Sequence, residues 1–189
     1  RRGPLAGRVV ALEEPARRLV LIRHAKSDYP PGVPDHDRPL NDRGRRDAPE
    51  VGRWLGGHLG WSGGAAPLVL VSSAVRAQQS WTLAQQHLPA AWSAATTRTE
   101  PLIYEASVRT LLAIVSSVPT DVLTVVMVGH NPGLADLIDR TCVDDDLQRA
   151  ATEKFPTSSV AVLECVDDWP TATAVPGAFR VMQFAAPRG

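Results

Sequence analysis

Cysteine is scarce: Cys142 and Cys165 are the only two, and they form no Cys-x-x-Cys pair. Neither a disulfide framework nor a thiolate zinc knuckle can be built from them, so buried thiols are expected. Net charge is lacking as well. Twenty Lys and Arg cancel twenty Asp and Glu. No global excess draws the chain to nucleic acid or to an anionic membrane, and any anion binding must be local. Long hydrophobic runs are also missing. The longest, Leu19–Ile22 and Val122–Val128, fall far short of the roughly 20 residues needed to cross a bilayer. The basic start, Arg1 to Arg18, has no continuous apolar stretch behind it and does not read as a secretory signal. A cytoplasmic location is expected, with no nucleic-acid or membrane partner. The tryptophans at 54, 61, 81, 92 and 169 are too scattered for a base-stacking platform and read as packing residues.

What remains is ordinary globular material: 189 residues, 44% hydrophobic and 21% charged. This is enough for one domain with a buried core. Residues 1–18 read as an irregular lead-in and 19–189 as a single domain. Short apolar runs alternate with segments of helical period, the pattern of a layered α/β fold with a largely parallel sheet. The first strand is expected at Arg18–Arg23 and ends in Arg23-His24. Asn41 reads as the N-cap of a helix to about Leu59. A second buried strand, Leu68–Ser72, leads into Ser73-Ala74-Val75-Arg76 and a helix to about Leu88. A strand near Thr97–Glu100 precedes Tyr104-Glu105-Ala106-Ser107 and a helix with Val108, Leu111, Leu112 and Val115 on one face. Val122–Val128 is the strongest strand pattern and ends in Gly129-His130-Asn131-Pro132-Gly133. Ser159–Leu163 and Phe179–Phe184 supply closing strands. Ligands of open α/β sheets bind beyond the carboxyl ends of the strands. Arg23, His24, Arg76 and His130 are therefore expected to converge, though far apart in sequence.

Arg23-His24-Ala25-Lys26-Ser27 directly after a strand resembles the Arg-His-Gly signature of the histidine phosphatase superfamily, in the form found in its SixA-like branch. The likeness continues through Asp35-His36-Asp37-Arg38-Pro39-Leu40-Asn41 and Arg43-Gly44. It extends to Ser72-Ser73-Ala74-Val75-Arg76-Ala77-Gln78-Gln79-Ser80 and to Val128-Gly129-His130-Asn131-Pro132-Gly133, in the family's order. The resemblance implies a phosphoglycerate mutase-like, three-layer α/β/α sandwich without a large cap domain. It implies His24 as the phosphorylated nucleophile, Arg23, Arg76 and His130 as the phosphate pocket, and Ser27 as a further phosphate contact. Larger relatives place a leaving-group acid in the segment after the second arginine, where Glu100 and Glu105 are the candidates and Glu105, in the loop opening the next helix, is preferred; SixA-like members lack a clear one, and a labile P–N bond lowers the demand for it.

The chemistry asks for the same residue types. A transferring phosphoryl group spreads charge over three equatorial oxygens, and catalysis is mostly positioning and electrostatic stabilisation. Guanidinium forks on Arg23 and Arg76 can hold those oxygens in a way lysine cannot. His24 must be neutral at the attacking nitrogen, its other nitrogen donating to a fixed acceptor, whereas a dianionic phosphate beside His130 should favour its charged form. The histidines at 24, 36, 58, 87 and 130 show no metal-ligand spacing, so neither a metal nor any other cofactor is expected. His58 and His87 read as helix C-terminal residues, Lys26 as a solvated loop lysine, and Asp144-Asp145-Asp146 as a solvated acidic loop. His36 could equally reach the site or order its loop.

The stretch between Arg76 and His130 has little room for a lid. That favours an open site able to admit a phosphorylated protein, and the resemblance points to a histidine phosphotransfer domain as partner. A small phosphorylated metabolite is the alternative substrate, and a binding module that has lost catalysis is the third reading. A mutase would need a second basic cluster, which the sequence does not offer.

Overall fold

The computed structural model describes residues 16–59 and 66–187. Most of the expected lead-in, and Trp61, lie outside the described residues. Six strands form one sheet in the order β3-β2-β4-β1-β5-β6. Strands β1 (Arg17–Arg23), β2 (Leu68–Val71), β3 (Thr96–Thr99) and β4 (Thr124–Gly129) run parallel. Strand β5 (Val160–Cys165) runs antiparallel beside β1, and β6 (Arg180–Ala185) pairs antiparallel with β5 at the edge. The sheet is thus mostly parallel: only β5 is reversed, and β6 returns to the direction of β1. Strand β1 starts at Arg17, ahead of the expected domain boundary.

Alternation along β1 divides the core. Leu19 and Leu21 face one side and Val20 and Ile22 the other, and none of the four is more than 3% exposed. This is the continuous apolar run of a strand covered on both faces. On the Val20 face lie α1 (Asp42–His58) and α2 (Val75–Gln85), through Val51, Leu55, Ala77, Trp81 and Ala84. On the Leu19 face lie α3 (Val108–Ser116), α4 (Gly133–Thr141), α5 (Asp146–Glu153) and α6 (Trp169–Ala174), the last burying Trp169 completely. The expected three-layer α/β/α sandwich is present.

Local signals explain most element ends. Asn41 accepts from Gly44 N–H and starts α1, Ser107 from Thr110 N–H and starts α3, and Asp168 from Thr171 N–H and starts α6. Helices α5 and α6, of 8 and 6 residues, are absent from the sequence reading; α5 has only Leu147, Ala150 and Ala151 at helical spacing, and of these only Ala151 is buried. The acidic loop is also more than solvated side chains. Asp145 caps α5 by accepting from Gln148 N–H, and Asp144 and Asp146 both pair with Arg149. Helix α2 stops at Gln85, short of the expected Leu88.

Two glycines allow close approaches. A Cβ on Gly52 would sit 1.9 Å from the Ala84 carbonyl oxygen, where α1 crosses α2, and one on Gly44 would sit 2.1 Å from the Lys26 carbonyl oxygen. The second contact fastens the start of α1 to the loop leaving β1, where Asn41 N–H also donates to the Lys26 carbonyl at 3.0 Å. Cys142 and Cys165 are buried free thiols, and burial pushes their pKa values up to about 12 and about 11. No described helix is long and apolar enough to cross a membrane.

Candidate active site

Parallel register brings the carboxyl ends of β1, β4 and β2 to one edge. Arg23 pairs with Gly129 and Val71 with Val128. The ladder runs one step further, since His24 N–H donates to the Gly129 carbonyl and Ser72 N–H to the Val128 carbonyl, both at 3.0 Å. His24, Ser72 and His130 therefore emerge side by side, and the first turn of α2 adds Arg76. His24, His130 and Arg76 border a cavity of about 630 Å³ whose wall also includes Arg23, Ser27 and Glu105. All six residues singled out in the sequence thus meet at one place.

His24 is buried, and its tautomer follows from its neighbours. Nδ1 lies 2.7 Å from the Ala25 carbonyl oxygen, which can only accept, so Nδ1 carries the proton. Nε2 receives Arg76 Nε–H at 3.3 Å, so its lone pair points at the arginine. The fixed acceptor that nucleophilic use of His24 demands is thus a backbone carbonyl one residue away. Burial, followed by Arg76, Arg23 and Arg38, outweighs that hydrogen bond and pushes the His24 pKa down to about 4.

His130 stands beside it, ring centroids 5.0 Å apart. Its Nε2 is 2.8 Å from the Ser72 hydroxyl, while the described residues offer its Nδ1 no partner. Burial first, then His24 and Arg76, pushes its pKa down to about 3. Without a bound phosphate the protein's own groups favour neutral His130, and the charged form expected beside a dianionic phosphate has to be supplied by that dianion. Arg23 donates through Nη1 to the Phe155 carbonyl at 2.8 Å and leaves Nε without a partner among the described residues.

Arg76 is the most heavily tied. Besides His24 it donates through Nη1 to the Asp35 carbonyl and through Nη2 to Asp35 Oδ2 at 2.9 Å. The same Oδ2 accepts from Tyr104 O–H at 2.9 Å, and Asp35 Oδ1 pairs with Arg38 at 2.7 Å. Burial alone would raise the Asp35 pKa, but its Tyr104 and Arg76 hydrogen bonds outweigh that and lower it. His36 bonds Ser73 Oγ through Nε2 and Asp37 Oδ1 through Nδ1, both at 2.9 Å. It ties its loop to the start of α2 and does not line the cavity.

Ser27 is buried at the cavity wall, in an isolated bridge to Leu40, and Lys26 is exposed at the same wall. Glu105 has the left-handed backbone value φ 51. Glu100 caps the turn Pro101–Ile103 by accepting from Leu102 N–H and pairs with Arg98. His58 packs on Trp54 at 4.6 Å, a structural role as expected. No group of three His, Cys, Asp or Glu side chains among the described residues could hold a metal ion.

The sequence reading gave Asp35, Tyr104 and Ser80 no role, although Asp35 and Ser80 fall within the motif stretches. Ser80 Oγ receives Ala25 N–H at 2.8 Å and donates to the Arg76 carbonyl at 2.6 Å, joining the residue after the nucleophile candidate to the arginine helix. Its signal was its place one helical turn after Arg76. Asp35 and Tyr104 lie in loops with no periodicity to mark them.

No family model matches the chain. An uncharacterized protein of Mycobacterium tuberculosis is 37% identical over 171 residues, covering 88% of this chain and all of that one. Solved structures assigned as the phosphohistidine phosphatase SixA superpose on it. That of Nakamurella multipartitia has TM-score 0.76, 29% identity and coverage of 93% of this chain and 98% of that one. The protein from Agrobacterium tumefaciens gives 0.71, 29%, 91% and 99%. A phosphoglycerate mutase from Plasmodium falciparum shares the fold at TM-score 0.57 and 13% identity, over 89% of this chain and 90% of that one. The architecture is phosphoglycerate mutase-like, with the cavity at the carboxyl edge of the parallel strands. Within that class, the chain belongs to the SixA-like branch of the histidine phosphatase superfamily and is a phosphatase.

Proposed function

We propose that the protein hydrolyses phosphohistidine carried on a protein, with His24 Nε2 as the nucleophile and a phosphohistidine intermediate on the enzyme. The observation that carries this reading is the fixed tautomer of His24. The Ala25 carbonyl holds the proton on Nδ1 and leaves the Nε2 lone pair beside Arg76 in the cavity.

A phosphoryl oxygen entering beside Arg76 competes for its Nε–H, and winning it frees Nε2 to attack phosphorus. Arg23 and Arg76 then hold equatorial oxygens, and Ser27 and His130 add contacts. The P–N bond to the substrate imidazole breaks as the new one forms, and the leaving nitrogen takes a proton. Glu105 is the proposed donor. It lines the cavity, and a non-glycine residue in the left-handed region marks a backbone held there by its surroundings. Water then attacks the phosphorus on His24, its proton returning to the same acid, and releases orthophosphate.

A protein substrate is supported by the form of the mouth. Between α2 and β4 the chain forms only short turns, β3 and α3, with no inserted helical lid. The relatives assigned as phosphohistidine phosphatases support the same substrate.

The test is turnover of a phosphorylated histidine phosphotransfer domain and of phenyl phosphate by wild type and His24→Ala, with acid-labile, base-stable label trapped on the enzyme. Turnover of the domain and label on the wild type, both lost in His24→Ala, are expected. Turnover of phenyl phosphate but not the domain would move the substrate to small metabolites. Binding of phosphate without turnover of either would leave a binding module.

A further inference from the structure

Arg76 has five N–H groups, and three are committed within the protein: one to His24 Nε2, one to the Asp35 carbonyl and one to Asp35 Oδ2. The guanidinium is thus pinned at one end by Asp35 and faces the proposed nucleophile at the other. Asp35 is itself braced. Tyr104 O–H holds the oxygen that Arg76 uses and Arg38 holds the second, while Arg38 stacks over the Tyr29 ring 3.9 Å from its centroid. Its neighbour His36 anchors the same turn to Ser73 at the start of α2. Arg76 is 5% exposed as a residue, so the partners of its N–H groups are supplied by the protein rather than by water.

We propose that Asp35 is a positioning residue for Arg76: by fixing two of its N–H groups it sets the guanidinium plane so that Nε–H can pass from His24 Nε2 to the phosphoryl oxygen. Asp35 touches no reacting atom in this scheme. It acts through Arg76, and Tyr104 acts through Asp35. The inference deepens the reading of this site as a phosphatase centre and rests on it.

Misplacing a transition-state donor by about 1 Å can cost about 100-fold in rate, whereas ground-state phosphate binding, shared with Arg23 and His130, tolerates it better. Wild-type protein, Asp35→Ala, Asp35→Asn and Tyr104→Phe are therefore compared on phenyl phosphate for kcat and KM, and for inhibition by vanadate and by orthophosphate. Asp35→Ala is expected to lower kcat about 10- to 100-fold with KM within about threefold. Vanadate, which takes the five-coordinate geometry of the transition state, should weaken in step with kcat, and orthophosphate should not. Asp35→Asn, which keeps an acceptor oxygen, should fall in between, and Tyr104→Phe should lose a few-fold in kcat alone.

A folded Asp35→Ala protein with kcat within twofold of wild type overturns the proposal. So does a variant whose KM rises while kcat holds, or one in which vanadate and orthophosphate weaken equally. If Asp35→Ala does not fold, Asp35→Asn and Tyr104→Phe carry the test, and wild-type kcat in both overturns it. Absence of wild-type turnover on any substrate strikes instead at the proposed function, so the two failures are distinguishable.

Discussion

At the scale of single residues, the site is a set of charges arranged around a neutral ring. His24 is neutral because burial opposes its protonation and three arginines add repulsion. On the proposed reading the reactive form persists as pH falls until about 4, well below the ordinary histidine value near 6.5. The acid limb of kcat/KM, corrected for ionisation of the substrate's phosphoryl group, should therefore lie near 4. A limb near 6.5 would contradict the burial and repulsion described. Arg76 offers a sharper case. Lysine preserves its charge but has no fork to face His24 and Asp35 at once. Arg76→Lys should cost about 100-fold or more in kcat, the scale of losing a transition-state donor, and single-turnover rates on phenyl phosphate would show it.

At the scale of elements, the molecule depends on close crossings. Gly52 lies where α1 meets α2, and a methyl group there would overlap the Ala84 carbonyl. Gly52→Ala should destabilise by about 1–3 kcal/mol through overpacking, read from the urea midpoint. Gly44→Ala should reduce activity as well as stability, because the Lys26 carbonyl it would strike belongs to the loop that carries Ser27. Sequence pattern revealed the parallel strands, and with them the converging Arg23, His24, Arg76 and His130, because each buried strand is a continuous apolar run ending in a chemically distinctive residue. It did not reveal α5 and α6, which are held by caps and by contacts such as Trp169 Nε1–H to the Val122 carbonyl at 2.8 Å. Nor could it reveal Asp35 and Tyr104, whose roles come from loop approach across many intervening residues, nor that a backbone carbonyl fixes the His24 tautomer.

At the scale of the whole molecule, the two depressed histidines make stability depend on acidity. In the unfolded chain each takes a proton near pH 6.5, whereas in the folded protein His24 resists until about 4 and His130 until about 3. Above 6.5 both states are deprotonated and the pair costs nothing. As pH falls from 6.5 toward 4 the unfolded state binds more protons, so stability must decline. Urea midpoints should drop over that range, and the drop should be shallower in a folded His130→Gln variant. An unchanged slope would show that other groups govern acid unfolding.

The two cysteines carry a consequence for survival under oxidative stress. Peroxide attacks thiolates, and thiols with pKa values near 11 and 12, sealed in the core, present almost none. On the proposed reading the attacking atom is a ring nitrogen rather than sulfur, so peroxide finds no reactive thiolate to silence. Dephosphorylation by this protein should continue under a burst of oxidant that silences enzymes relying on a reactive cysteine.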